Sequence, residues 1–208
     1  MWLVRHAETE WSRSGQHTGS TDLPLTHVGE EKARALGAAL AALAGRAFDL
    51  VACSPRRRAT RTAELAGLEP YEVWEDLAEW DYGELEGRTT AAIRESLPGW
   101  SIWEGPWRGG ETAADVGARA DRVIARVLAG GQGKGAGDSR RVVLVGHGHF
   151  SRVLGARWVG AGVGAGRWLD LDTASISELG CTPNGRVLRR WNVPGVPPGY
   201  VAGSAWMA

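Results

Sequence analysis

Residues 142–149 read VVLVGHGH: four consecutive apolar residues that favour strands, then a glycine and two histidines separated by another glycine. Two more short apolar runs end in polar groups. Residues 2–6 (WLVRH) end in an arginine and a histidine, and residues 48–58 (FDLVACSPRRR) end in a serine, a proline and three arginines. Such runs, bounded by glycine or polar residues, predict buried strands of a parallel sheet.

Helical patterns lie between these runs. Thr26 precedes leucines at helical spacing, and Ser54 with Pro55 predicts the start of a second helix, a cap followed by proline at the first helical position. Thr112 with Asp115 predicts a capping box before a third helix. Because strands alternate with helices, we expect an α/β fold, a three-layer α/β/α sandwich around a mostly parallel sheet.

The chain length suits one domain. With 208 residues, the chain can bury a sizeable core without dividing in two. We place this domain at residues 1–193 and expect residues 194–208 to form a poorly ordered tail, because they begin with a proline- and glycine-rich stretch. The glycine-rich runs 130–138 and 160–166 lack the strand-before, helix-after context of a nucleotide-binding loop, so we expect flexible loops there.

Charge and cysteine content exclude several classes of protein. Lys plus Arg is 24 and Asp plus Glu is 24, which argues against a general binder of nucleic acid or of anionic membranes. The two cysteines, Cys53 and Cys181, lie far apart and support neither a disulfide framework nor a zinc site. Since no apolar run is long enough to span a membrane and no signal peptide is recognisable, we expect a cytoplasmic protein. A homodimer through a sheet edge or a Trp patch stays open.

The polar groups after the three predicted strands are the first indication of function. His6, Arg58, His147 and His149 follow strand ends, and each alone would ordinarily be a surface or capping residue. In open α/β sheets, however, the carboxyl ends of parallel strands meet at one edge, where ligands bind. Together these residues therefore predict one local pocket for an anion.

The same segments carry a family resemblance. Residues 3–11, LVRHAETEW, resemble the Arg-His-Gly signature of the histidine phosphatase superfamily, the phosphoglycerate mutase-like fold, with Ala7 in place of the usual glycine. The resemblance continues in the right order over nearly the whole chain, through residues 18–19 (TG), 25–29 (LTHVG), 53–59 (CSPRRRA), 77–87 (LAEWDYGELEG), 109–112 (GGET) and 145–148 (VGHG).

The resemblance implies the catalytic roles. His6 would be the nucleophile, Arg5, Arg58 and His147 would hold the phosphoryl group, and Glu79 would donate the proton. Phosphoryl transfer needs in-line positioning and cations around the equatorial oxygens, which suits these residue types. Neighbouring guanidinium groups should also keep His6 neutral and nucleophilic. The same carboxyl would protonate the leaving alcohol and later activate water.

Other residues of the predicted pocket are less specific. Asp81, Glu84 and Glu86 lie in the same acidic loop and are alternatives to Glu79 on chemistry alone. Tyr82 either lines the pocket mouth or packs in the core. The residues we expect to contact substrate are Ser12, Thr18, Gly19, Tyr82, Gly148 and His149.

A tryptophan cluster lies in the segment of about residues 80–112, which by resemblance covers the active site as a lid. Trp100, Trp103 and Trp107 either pack this lid on the core or form an aromatic wall that stacks on a carbon skeleton. His147 and His149 resemble half of a metal site, but no further ligands complete it, so we expect neither a metal nor another cofactor.

Three functions remain, with hydrolysis favoured. The interval between Glu79 and His147 is short for cofactor-dependent phosphoglycerate mutases, Thr90 stands where they carry lysine, and the Trp-rich segment has a single arginine, Arg108, where they carry a pair. The resemblance is greatest to the branch of acid phosphatases and sedoheptulose-1,7-bisphosphatases. We therefore expect a metal-independent phosphomonoesterase that hydrolyses a small phosphorylated metabolite, with sugar phosphates favoured, through a phosphohistidine. The alternatives are a phosphoglycerate mutase and a non-catalytic relative that binds a phosphorylated ligand.

Overall fold

One mixed sheet forms the centre of the computed structural model, which describes residues 1–45, 47–130 and 140–196. Its strands are β1 (Trp2–Arg5), β2 (Leu50–Cys53), β3 (Glu72–Val73), β4 (Val142–Gly146), β5 (Ser175–Thr182) and β6 (Gly185–Pro194). The order across the sheet is β3-β2-β4-β1-β5-β6. The first four strands in this order are parallel, and β5 and β6 run antiparallel to their neighbours.

Helices cover both faces of this sheet. They are α1 (Glu10–Ser14), α2 (His27–Ala44), α3 (Arg57–Leu65), α4 (Thr90–Ser96), α5 (Ala113–Ala129) and α6 (Gly148–Trp158). Short 3-10 helices lie at Glu75–Leu77, Gly83–Leu85 and Val163–Trp168. Within the described ranges, no helix combines the length and apolar character needed to cross a membrane.

Alternate residues of the strands supply two separate cores. Val143 and Val145 face the layer that contains Leu36 and Leu40 of α2. Val142 and Leu144 point the other way, into a core shared with α5 and α6. Each buried leucine stabilises the fold by about 1.5–3 kcal/mol. The expected three-layer α/β/α arrangement is confirmed, with a sheet whose antiparallel part is larger than the sequence indicated.

Two of the predicted helix starts are confirmed. The Thr26 hydroxyl accepts a hydrogen bond from the Gly29 amide (2.9 Å) at the start of α2. Thr112 and Asp115 form the predicted capping box before α5. These caps satisfy amide groups that the first helical turn leaves without partners.

The predicted cap at Ser54 is wrong. Helix α3 begins at Arg57, and its N-terminus has no side-chain cap. The Ser54 hydroxyl lies instead 2.6 Å from Nε2 of His147. The same hydroxyl accepts a hydrogen bond from the Arg56 amide (3.3 Å), and a cap prediction from sequence cannot include a partner 93 residues away.

The antiparallel pair β5–β6 was not predicted. Its two-residue turn is Pro183-Asn184, and Gly185 follows as the first residue of β6. Strand β6 ends at Pro194, and the Gly195 amide donates to the Ala174 carbonyl (2.9 Å), so the ordered fold includes the first residues of the predicted tail. Residues 197–208 of that tail lie outside the described residues.

The expectation of a flexible loop at residues 160–166 is wrong for its second half. Val163–Trp168 is a 3-10 helix, and Gly166 lies under Trp103, where an added Cβ would be 2.7 Å from the indole ring. The glycine here serves close packing rather than slack. The other glycine-rich run, from residue 131 onward, lies outside the described residues.

Candidate active site

Backbone hydrogen bonds bring the three strand ends together. The His6 amide donates to the Gly146 carbonyl (2.9 Å), and the Ser54 amide donates to the Val145 carbonyl (2.9 Å). Both bonds continue the parallel ladders of β4 with β1 and with β2. His6, Ser54 and His147 therefore meet at the carboxyl edge of the sheet, as the sequence predicted.

His6 is held as a neutral imidazole in a defined tautomer. Its Nδ1 lies 2.7 Å from the Ala7 carbonyl oxygen. Since a carbonyl only accepts, Nδ1 carries the proton and Nε2 keeps a free lone pair. Burial, followed by the positive charges of Arg58 and Arg5, lowers the pKa of His6 well below its ordinary value.

His147 lies beside His6, with 5.2 Å between the ring centroids. Its Nδ1 accepts a hydrogen bond from Nε of Arg58 (3.2 Å), so Nε2 carries the proton and donates to Ser54. Burial, followed by the charge of Arg58, lowers the pKa of His147 well below its usual range. His147 is thus neutral in the free protein and does not add the positive charge that we expected of it.

Arg58 is completely buried and held by backbone carbonyls. Its Nη2 donates to the carbonyls of Thr18 (3.0 Å) and Gly19 (3.1 Å), and its Nη1 donates to that of Thr21 (2.9 Å). All these partners are neutral, so none of them offsets the positive charge that the guanidinium places beside His6. The loop of residues 18–21 therefore fixes the orientation of Arg58.

Glu86 organises that loop from the opposite side. Its carboxylate accepts hydrogen bonds from the amides of Gly19 (3.0 Å), Ser20 (3.2 Å) and Thr21 (2.6 Å). Charge-assisted hydrogen bonds of this kind are among the stronger ones in proteins. Glu86, an alternative to Glu79 on sequence chemistry, thus has a structural task.

We expect Glu86→Gln to destabilise the fold by about 1.5–3 kcal/mol, because an amide cannot accept from all three loop amides. The measurement is the free energy of unfolding in urea. Glu84→Gln, in the same loop, is the matched control, since the Glu84 side chain makes no hydrogen bond within the described residues. Equal stability of the two variants would contradict this role of Glu86.

Arg5 presents unused donors at the same edge of the sheet. Its Nη1 donates a hydrogen bond to the Leu171 carbonyl. Its Nε is buried and has no hydrogen-bond partner within the described part of the chain. Gly148 lies against the guanidinium, where an added Cβ would be 3.2 Å from Cζ. The free N–H groups of Arg5 match the oxygens of a phosphoryl group.

Glu79 is fixed by the start of α6. Its Oε1 accepts from the amides of Phe150 (2.7 Å) and Trp80 (2.8 Å), and its Oε2 accepts from the amide of His149 (3.0 Å). The carboxylate thereby caps α6, which has no side-chain cap of its own. Oε2 accepts one of these three bonds and Oε1 accepts two, so Oε2 has the greater unused lone-pair capacity.

Arg119 holds the backbone around Glu79. Its guanidinium donates to the carbonyls of Ala78 (2.6 Å) and Glu79 (3.2 Å), and it forms a paired ion bridge with Glu111 (2.6 Å). The Glu111 carboxylate also accepts from the Asp81 amide (3.0 Å). This network was not predicted, because its partners are mostly carbonyls that sequence patterns do not reveal.

A cavity of about 170 Å3 opens at this edge of the sheet. Eight of the predicted residues line it: Arg5, His6, Ser12, Thr18, Glu79, Tyr82, Gly148 and His149. Six lining residues were not predicted: Gly15, Gln16, His17, Arg152, Asp170 and Leu171. Gln16 and His17 lie between the quoted segments 3–11 and 18–19, whereas the segment 170–171 is far from any quoted segment.

Three predicted residues are not part of the cavity wall. Arg58 and His147 lie fully buried next to His6. Gly19 faces the Trp80 carbonyl, where an added Cβ would be 2.7 Å from the oxygen. Its small size is therefore explained by packing. Ser12 does line the cavity, but its hydroxyl forms the capping box of α1 with Thr9.

The aromatic groups at the cavity are imidazoles and a phenol. The Tyr82 hydroxyl lies 2.7 Å from Nδ1 of His149, and the His17 and Tyr82 rings are 4.7 Å apart. Burial lowers the pKa of His17 to about 4 and that of His149 well below its ordinary value. These rings form a neutral wall.

The predicted tryptophan wall does not line this cavity. Trp100 is buried with its Nε1 bonded to the Pro106 carbonyl (3.0 Å), and Trp107 donates to the Ile102 carbonyl (2.7 Å). Trp103 meets the His149 ring edge-on, with 5.4 Å between the ring centroids. The alternative that we weighed, packing of the segment on the core, describes all three.

The two histidines that resembled half of a metal site turn their ring nitrogens to different partners. His147 uses both nitrogens with Arg58 and Ser54, and His149 uses Nδ1 with Tyr82. The described residues contain no group of three or more His, Cys, Asp or Glu that would hold a metal ion.

Comparison with known proteins decides the family. The sequence model of the histidine phosphatase superfamily (branch 1) matches residues 1–194. The chain belongs to this superfamily. An acid phosphatase of Mycobacterium tuberculosis is 43% identical over 97% of this chain and 96% of its own length. A sedoheptulose 1,7-bisphosphatase of Saccharomyces cerevisiae is 35% identical over 77% of this chain and 68% of its own length.

Solved histidine phosphatase structures share the fold. One from Mycobacterium tuberculosis has a TM-score of 0.86 at 43% identity and covers 93% of this chain and 97% of that one. A mycobacterial glucosyl-3-phosphoglycerate phosphatase has a TM-score of 0.80 at 27% identity, with coverage of 93% and 98%. The chain is a phosphatase, and these relatives favour hydrolysis over the mutase alternative.

Proposed function

We propose that this histidine phosphatase hydrolyses a small phosphate monoester, with sugar phosphates favoured, through a phosphohistidine on His6 and without a metal ion. The tautomer of His6 carries the proposal, because the Ala7 carbonyl leaves Nε2 unprotonated. The named substrates of the yeast and mycobacterial relatives, a sugar bisphosphate and a glucosylated phosphoglycerate, support the sugar phosphate class.

In the first half-reaction, Nε2 of His6 attacks phosphorus, a N–P bond forms and the ester P–O bond breaks. The free N–H groups of Arg5 bind the equatorial oxygens, and the buried charge of Arg58 stabilises the developing negative charge. In the free protein the Nε2 proton of neutral His147 is bonded to Ser54, so His147 can donate to the same group only when that bond is exchanged for one to the phosphoryl oxygen. Oε2 of Glu79 gives its proton to the leaving alcohol.

In the second half-reaction, water attacks the phosphohistidine. Glu79, now a carboxylate, takes a proton from this water, and the N–P bond breaks to release phosphate and neutral His6. The amides that hold Glu79 fix its position through both steps.

The experiment is a short pulse with a 32P-labelled sugar phosphate, quenched in alkali and repeated in EDTA. We expect a label on His6 that is lost in acid, and the same rate of phosphate release with and without EDTA. Turnover without any protein-bound label, or turnover that EDTA abolishes, would overturn the proposal.

The pH dependence follows from the direction of the pKa shift of His6. Because its pKa lies well below 6.5, the imidazole stays neutral in mildly acidic solution and the nucleophile is lost only when the pH falls through that lower value. We expect NMR of the imidazole rings to show His6 neutral at pH 5.5, with assignment by His6→Ala. A midpoint near the ordinary value, about 6.5, would contradict the structure.

A further inference from the structure

A second arginine, Arg152, reaches the cavity from α6. It lies three residues after His149 and one turn after Gly148, so all three are on one face of the helix. Gly148 marks the phosphoryl end of the cavity, next to Arg5. The backbone of Arg152 therefore lies about 6 Å further along the helix axis than that of Gly148, and its side chain adds a second arginine to the cavity wall.

The guanidinium of Arg152 is held by neutral groups. Nε donates to the Gly166 carbonyl (3.0 Å), Nη2 donates to the Arg167 carbonyl (3.1 Å), and Cζ lies 4.9 Å from the centre of the Trp103 ring. Within the described residues, Nη1 has no hydrogen-bond partner and no carboxylate lies within ion-pair distance. Its position is fixed while part of its hydrogen-bonding capacity is free.

Asp170 lies in the same cavity wall. Its Oδ1 accepts from the Leu171 amide (3.0 Å), which leaves Oδ2 free of hydrogen bonds within the described residues. Burial lowers the pKa of Arg152, and the charge of Asp170 opposes that shift, so the two groups sense each other without direct contact. Such a pair of opposite charges, one donor and one acceptor, suits a substrate group that bridges them.

We propose that Arg152 binds a second anionic group of the substrate, a carboxylate or a second phosphate, and that Asp170 accepts a hydrogen bond from a hydroxyl next to it. The inference rests on the proposed function, because the first phosphate is placed at His6. Arg108, the insert arginine considered in the sequence, does not line the cavity. Arg152 is thus a specificity-determining residue that sequence reasoning missed.

The experiment compares matched esters with and without the second anionic group. One pair is 3-phosphoglycerate and glycerol 3-phosphate, which differ by a carboxylate in place of a hydroxymethyl group. The other pair is fructose 1,6-bisphosphate and fructose 1-phosphate. The readout is kcat/KM for the ester with the second anionic group divided by kcat/KM for the ester without it. The pair with the larger ratio tells whether a carboxylate or a phosphate is the preferred group.

We expect Arg152→Ala to lower this ratio about 10- to 100-fold, mainly through KM, the size of a lost hydrogen bond to a charged group. Asp170→Asn should raise the ratio, because it removes a negative charge that repels the second anionic group of the substrate. Arg157→Ala, on the same helix but paired with Asp121 on the surface, should leave it unchanged.

The outcomes separate the two proposals. If Arg152→Ala lowers kcat/KM for both members of each pair equally, or if the wild type shows no preference within either pair, the second subsite is wrong while the phosphatase mechanism stands. If wild-type protein hydrolyses none of the four esters and forms no label on His6, the proposed function itself fails.

Discussion

His6→Ala is expected to lower kcat on the order of 10⁴-fold or more and to abolish the acid-labile phosphoenzyme. The substitution removes the imidazole whose Nε2 lone pair is kept free by the hydrogen bond from Nδ1 to the Ala7 carbonyl. The fold should persist, because the backbone bond from residue 6 to Gly146 does not need the ring. Single-turnover and steady-state assays on the same sugar phosphate measure the loss.

His27→Ala is the matched control for this substitution. Its ring is exposed at the start of α2 and pairs with Glu31 rather than with the cavity. Near wild-type turnover of His27→Ala would show that the loss of kcat in His6→Ala does not come from removing any histidine. Undiminished turnover in His6→Ala would remove His6 as the nucleophile.

Glu79→Gln is expected to lower kcat about 10²- to 10⁴-fold for alkyl phosphates, the usual contribution of general acid catalysis. In phosphoenzyme formation, the loss should be much smaller with p-nitrophenyl phosphate, because that leaving group needs no proton. Since the side chain also caps α6, we expect a loss of stability of about 1 kcal/mol as well. Measuring the rate of phosphoenzyme formation for both leaving groups separates the loss of proton donation from the loss of stability.

The same Glu84→Gln variant used above serves as the control for this comparison. An equal loss in the rate of phosphoenzyme formation for both leaving groups would show that Glu79 acts in this step through the position of α6 and not through its proton. The neighbours of Glu79 are then the next candidates for the proton donor. The first is Tyr82, and burial raises the pKa of its phenol well above its ordinary value.

The sequence was sufficient for the parts of the site that depend on strand ends. His6 and His147 follow apolar runs, and parallel strands bring their carboxyl ends together whatever the rest of the chain does. Arg5 ends β1 and lines the cavity for the same reason, whereas Glu79 follows no strand, was expected from the family resemblance and also lines the cavity.

What the sequence did not reveal depends on contacts between remote backbone groups. Arg152 is held by the carbonyls of a glycine-rich segment that we took for a flexible loop. The neutral state of His147 follows from burial and from Arg58, neither of which has a local pattern. The Ser54 cap failed for a similar reason, since its hydroxyl serves a distant imidazole.

The way the segment 163–171 is attached has a consequence for how substrate preference can change. Arg152 holds its carbonyls at Gly166 and Arg167, and Arg5 holds its carbonyl at Leu171. Every one of these anchors is a peptide oxygen, which any amino acid supplies. These bonds to Arg5 and Arg152 therefore persist when a side chain such as Asp170 changes, so substrate preference can vary at this segment while the phosphoryl machinery is left untouched.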